Sequence, residues 1–344
     1  MSLKLTLFLG AGFSAPFGHP TMNTFLGFAD SCKRITKDDR AFLGSLVLEA
    51  RRANSFLESS PTNLEDILSF SEMGDRLKLT DKDEDRNSRL RSIVGRIYTA
   101  IPPVEKYWPR YHSLATLIGN KPDDLKREDL SFITTNYDLN IESACYHLGA
   151  PVDPGFNLCQ TDKGNVQVTG RLYQTGGIPL YKLHGSVNWY PIEEEPGLAV
   201  EDRVVQGNWI GQEGGPPTLP RPCFADYKPP ADPVIIPPSF LKPDLNPALK
   251  TVWQGAAKVL SVANVVAFVG YSFPPSDTEM MYFLARALSE NAGIRAVCIV
   301  DPKANEITHR LRNPGSKIGS HFRELITPVN SDWTRARPVI SYAS

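Results

Sequence analysis

The apolar run Leu5 to Leu9 (LTLFL) ends directly in Gly10-Ala11-Gly12, with Ser14 just beyond and another glycine at Gly18. A Gly-Ala-Gly turn lets the backbone approach a ligand closely. Its N–H groups, with the start of a following helix, suit a pyrophosphate without any lysine. Ala15 stands where the third glycine of G-x-G-x-x-G would be, so the turn reads equally as a tight strand-to-helix connection. Four further stretches carry candidate chemistry. In Ile133-Thr134-Thr135-Asn136-Tyr137-Asp138, Asp138 reads equally as the N-cap of a helix starting at Leu139, whereas the Asn136 amide has no such structural duty. In Lys182-Leu183-His184-Gly185-Ser186, the glycine leaves open space beside the His184 ring, although a lone histidine is more often a satisfied structural residue. In Gly270-Tyr271-Ser272-Phe273-Pro274-Pro275-Ser276-Asp277, Ser276 and Glu279 are spaced as a capping box, which leaves Gly270 and Ser272 for a phosphate or ribose. Asp301, closing the run Ala296 to Val300 before Pro302, suits either a ribose hydroxyl pair or a turn.

Parallel strands would present these residues together. LTLFL, LSFIT (Leu130 to Thr134), VVAFV (Val265 to Val269) and AVCIV (Ala296 to Val300) are short and nearly free of polar residues, as in strands covered on both faces. Helical segments lie at Asn140 to Leu148, Pro247 to Val262 and Thr278 to Leu288. The alternation predicts an α/β fold built on a doubly wound parallel sheet, with ligands at the carboxyl ends of the strands. Thr36 to Ile101 reads as a helical insertion, with the charged run Thr80 to Arg89 as a solvated loop or helix end. Pro191 to Pro243 reads as an irregular Pro-rich excursion with a few short strands.

The 344 residues carry a net charge of -1, which gives no global field favouring nucleic acid or an anionic membrane. The opening residues lack a signal peptide's basic and cleavage regions, and no run approaches a membrane span, so a cytoplasmic protein is expected. The five cysteines are isolated from one another, which suggests neither a disulfide framework nor a zinc site, and no metal is expected.

Taken together and in order, GAGFS, Gly18-x-Pro20, TTNYD, LHGS, GYSFPPSD and VDP resemble the motifs of the sirtuin superfamily across roughly residues 5 to 305. The versions are most similar to the sirtuin-like domains of bacterial anti-phage systems. The resemblance implies a Rossmann-like NAD-binding domain formed by residues 1–35, 102–190 and 244–344, with 36–101 inserted and 191–243 in place of a zinc module. It implies Gly10, Ala11, Gly12 and Ser14 around the phosphates, and Asn136 and Asp138 as residues that position the nicotinamide ribose and a water. It also implies His184 against ribose hydroxyls, Gly270 and Ser272 as phosphate contacts, and Asp301 on the adenosine ribose.

Departures from the family pattern narrow the chemistry. The paired cysteines of the deacylases' zinc module are missing. Gly18-His19-Pro20-Thr21-Met22 lacks the Asp-Phe-Arg set against nicotinamide, and Thr135 replaces a glutamine. Nicotinamide leaves NAD as a neutral molecule, so no general acid is needed. The enzyme must hold the ribose, stabilise an oxocarbenium-like centre and place a water. The expected function is an NAD glycohydrolase producing nicotinamide and ADP-ribose, an effector of anti-phage defence by NAD depletion. A protein deacylase, an ADP-ribosyltransferase or a non-catalytic NAD or ADP-ribose sensor are the alternatives. Because free NAD hydrolysis would poison the cell, restraint is expected from a homo-oligomer or a separate nucleic-acid-handling partner protein.

Overall fold

The structure, a computed structural model, describes residues 3–57, 64–78, 83–99, 129–156, 172–191, 198–200, 233–236, 247–274, 277–313 and 320–331. The apolar runs form strands β1 (Leu5–Leu9), β2 (Leu130–Thr134), β7 (Val265–Val269) and β8 (Ala296–Asp301). Every residue of the first three is buried. β3 (Val152–Asp153), β4 (Ile178–Lys182) and β9 (Ile326–Asn330) complete a seven-stranded sheet in the order β3-β4-β2-β1-β7-β8-β9, and all its pairings are parallel. β5 (Trp189–Pro191) and β6 (Leu198–Val200) form a separate antiparallel pair. Most of the Pro-rich excursion lies outside the described residues.

The helices are α1 (Ala11–Ser14), α2 (Phe25–Ser31), α3 (Lys37–Leu57), α4 (Leu64–Leu77), α5 (Asp83–Thr99), α6 (Asn140–His147), α7 (Pro247–Val262), α8 (Thr278–Ser289), α9 (Ala304–Arg312) and α10 (Ser320–Leu325). This is the α/β, Rossmann-like arrangement expected. After β1 the chain builds toward β2, and after β7 toward β8, so β1 and β7 are neighbours whose connections diverge. A doubly wound sheet opens its binding crevice at such a point.

α7 buries Ala248, Leu249, Val252, Ala256 and Leu260, one stripe at helical spacing, against the main core. A second core joins α2 to α5 through Phe25, Leu46, Ile67, Ile93 and Ile97, and takes in Tyr137, Val187 and Ile235 from the sheet side. α3 starts with a reciprocal cap. Thr36 Oγ1 donates to Asp39 Oδ2 (2.7 Å), and Asp39 N donates to Thr36 Oγ1 (3.1 Å). Arg96 and Arg89 of α5 reach the same carboxylate at 2.9 and 3.2 Å, which ties α3 to α5. Burial pushes the Asp39 pKa up, but Arg96, Thr36 and Arg89 outweigh it and hold the carboxyl well below its usual range. Within the charged run, Asp83 to Arg89 forms the first turns of α5, the helix-end reading of that stretch.

Two local expectations are corrected. The N-cap of α8 is Asp277, not Ser276, which lies outside the described residues. The Asp277 carboxylate accepts from Tyr271 Oη at 2.8 Å and makes no cap bond. The glycine after His184 also has a different duty. Gly185 has φ +80°, and a Cβ there would lie 2.9 Å from the Val234 carbonyl carbon, because Ile235 pairs with Gly185 as a bridge. This glycine serves the turn and the close approach, not the ring.

Candidate active site

The glycines after β1 and the glycine after β7 pack on each other. A Cβ on Gly10 would meet Gly270 O at 2.5 Å, and one on Gly12 would meet Gly270 Cα at 2.9 Å. Gly10 N donates to Val269 O (3.0 Å), Gly12 N to Gly270 O (2.9 Å), and Gly270 N to Val300 O (2.9 Å). The close approach that these glycines permit is thus first of all to one another. It clamps the two sides of the crevice and occupies the Gly10 and Gly12 amides. The amide of Ala11 has no backbone partner among the described residues.

Next to this clamp stands a polar cluster from the β1 and β2 ends. Asn136 Nδ2 donates to Gly10 O (2.8 Å) and to Ser14 Oγ (2.9 Å). Ser14 Oγ donates to Asp138 Oδ2 (2.5 Å), and Asp138 Oδ1 accepts from Asn140 N (3.1 Å). The carbonyl of Gly10 can only accept, which fixes the orientation of the Asn136 amide. Both its donors are spent, and Oδ1 has no partner among the described residues. Asp138 is buried and does cap α6, so its carboxylate reaches the site through Ser14.

Beneath the cluster, Lys182 at the end of β4 is 1% exposed. Its Nζ donates to Asp138 O (2.5 Å), Tyr137 O (3.3 Å) and Glu142 Oε1 (2.9 Å), the last an equally buried partner on α6. Burial pushes the Glu142 pKa up against the pull of the ammonium. This pair holds the strand-to-helix turn that carries Asn136. Sequence reading missed it, because its members are 40 residues apart and meet only once β2, α6 and β4 are packed.

His184 is buried, with its ring centroid 6.5 Å from that of Tyr137 and its carbonyl accepting from Ile236 N at 2.8 Å. Tyr137 meets Tyr98 of α5 edge to face at 5.4 Å, and Tyr98 stacks on His19 at 6.0 Å. Tyr98 Oη also donates to Pro20 O (3.3 Å), so the helical layer grips both the Gly18-to-Pro20 turn and the β2 loop.

On the β7 side, Ser272 is exposed, and Arg310 of α9 donates to the carbonyls of Ser272 and Phe273. Phe273 has φ +50°, unusual for a bulky residue, and its ring is anchored against Phe268 and Tyr271 at 4.7 and 4.8 Å. Asp301, partly exposed at the end of β8, accepts from Lys303 N at 2.8 Å through Oδ1, as its turn reading requires. Its Oδ2 has no partner among the described residues. The sheet therefore brings Gly10, Ala11, Gly12, Ser14, Asn136, Asp138 and Gly270 into one connected cluster. Ser272 lies further along the β7 loop, Asp301 at the next strand end, and His184 beside Tyr137.

Among the described residues, no group of three or more His, Cys, Asp or Glu side chains gathers where it could hold a metal ion, and no helix is long and apolar enough to cross a membrane. No family model and no curated protein matches the chain. Solved structures do. Sir2Tm bound to a propionylated peptide is 13% identical, with 99% of this chain and 93% of that chain covered and a TM-score of 0.36. A Sir2-homologue mutant complexed with 2′-O-acetyl ADP ribose is 13% identical, with 99% and 90% covered and a TM-score of 0.41. Sir2 with the inhibitor EX-527, 2′-O-acetyl-ADP-ribose and a deacetylated p53 peptide is 14% identical, with 99% and 94% covered and a TM-score of 0.36.

Proposed function

We propose that the chain binds NAD across the carboxyl ends of β1, β2, β7 and β8 and hydrolyses its nicotinamide–ribose bond. The observation that carries this reading is Asn136. Its amide stands at the crevice with both donors locked and one acceptor oxygen left over, a preorganised group suited to a water or a ribose hydroxyl. The order of the sirtuin-like motifs supports NAD as the ligand. In this assignment Gly10, Ala11, Gly12, Gly270 and Ser272 line the phosphates, and Ser14 and Asp138 hold Asn136. His184 accepts from a ribose hydroxyl, and Asp301 uses its remaining oxygen on the adenosine ribose.

The motif likeness to anti-phage domains further supports a role in defence by NAD depletion, with activity restrained by self-association or by a separate nucleic-acid-handling partner. Tyr98 supports control through the helical layer, since it touches two of the site's loops. The test is to incubate purified protein with NAD over a range of protein concentrations and to follow free nicotinamide. Release is expected, with Asn136→Ala lowering turnover about 100- to 1,000-fold while the circular dichroism spectrum is kept. No release at any concentration, or full activity in the variant, would refute the assignment.

A further inference from the structure

His19 has no role in the reading so far. It follows Gly18, which closes the turn after β1 with φ +90°, and His19 N donates to Ser14 O at 3.4 Å, which places the residue beside Ser14 of the polar cluster. One face of its ring lies against Tyr98 at an interplanar angle of 15°. The side chain of Asn140 lies within hydrogen-bonding reach of the imidazole, and the Asp138 carboxylate is close enough to act on it electrostatically. Yet Nδ1 is buried and has no hydrogen-bond partner among the described residues. An orphaned buried polar atom costs about 1–3 kcal/mol, and here the orphan sits beside the polar groups of the candidate site.

We propose that His19 accepts the proton of the attacking water, which leaves His184 to the ribose; this rests on the hydrolase reading above. As the water oxygen bonds to C1′ of the nicotinamide ribose, the C1′–N bond breaks and its electron pair returns to the pyridinium nitrogen, which departs neutral. The water's proton passes to the imidazole and from there to solvent, and ADP-ribose remains. Asn136 accepts a hydrogen bond from the same water through its free oxygen.

The ring is suited to the task because it is held neutral. Burial lowers its pKa from 6.5, the Asp138 charge and the Asn140 amide oppose this, and Lys182 adds to the lowering. The titratable and charged groups around it are Asp138 and Glu142 of the β2–α6 region, Lys182 of β4, and Tyr98 and Tyr137. Both tyrosines are pushed up by burial and stay protonated throughout the working range.

The experiment compares kcat, KM and the pH profile of nicotinamide release for the wild-type chain, His19→Gln and His19→Ala. For the wild type, kcat should rise with pH through a value below 6.5 and then level off. Both variants should lose about 100-fold or more in kcat with KM within about threefold, the acid limb should disappear, and added imidazole should partly restore His19→Ala. Variants within about threefold of wild type in kcat, with the limb unchanged, would overturn the proposal and leave the hydrolase reading standing. A wild-type chain that releases no nicotinamide would bring down both.

Discussion

The glycine clamp between β1 and β7 can be tested against a control within the same chain. Gly270 and Gly149 have nearly the same φ, +63° and +59°. Alanine at either site therefore pays a similar left-handed penalty of about 1–2 kcal/mol. At Gly149 a Cβ meets nothing within 4 Å. At Gly270 it would lie 2.7 Å from Gly12 Cα and closer still to Phe13 N. Those neighbours are backbone and cannot rotate aside, so the β1 turn and the β7 end must separate. The bonds from Gly12 N to Gly270 O and from Gly10 N to Val269 O would then be lost or stretched. Each is worth about 1 kcal/mol net, and more if a buried donor is left unpaired. Gly270→Ala should cost about 3–6 kcal/mol against about 1–2 for Gly149→Ala. Urea titration followed by circular dichroism reads this as a lower midpoint at unchanged slope. Equal midpoints for the two variants would refute the clamp.

Lys182→Met should destabilise the protein by about 3–5 kcal/mol, because it strands a buried Glu142, and the double variant with Glu142→Leu should recover much of that loss in thermal melts. Glu142 in Lys182→Met binds its proton more tightly when folded than when unfolded. The variant should therefore gain stability as pH falls from 7 toward 4.5, and no such gain would contradict the burial argument. Asp39 has the opposite sign. Its pKa is depressed on folding, so its contribution is present above 3.8 and lost as pH falls further, and the deficit of Asp39→Asn in urea titrations should shrink on acidification. Chelator should leave the melting temperature unchanged, and elemental analysis showing one zinc per chain would contradict the reading of the isolated cysteines.

β1, β2, β7 and β8 were legible because strands covered on both faces read as unbroken apolar runs. β4 and β9 were not. IPLYK carries a proline and ends on a lysine whose burial is intelligible only once Glu142 and two carbonyls are beside it, and ITPVN is a partly exposed edge strand with its own proline. Asn136 was legible because the helix cap accounts for Asp138 but leaves the amide unexplained. His19 was not, since what marks it out is a buried nitrogen without a partner among the described residues, visible only once the ring is packed against Tyr98 and Asn140. The turn glycines were legible as glycines, but the sequence did not reveal that their nearest neighbour would be another glycine some 260 residues away.

Tyr137, Val187 and Ile235 are attached to the sheet's loops but buried in the core of the helices. Opening the helical layer must therefore strip those loops of their packing, and the two regions should exchange their amide hydrogens as one cooperative unit, apart from the deeper strands. Removing residues 36–101 would not trim the protein to a smaller nucleotide-binding domain. It would leave the backbone that carries Asn136 with an apolar side facing water and without the tyrosine that secures the turn at Pro20.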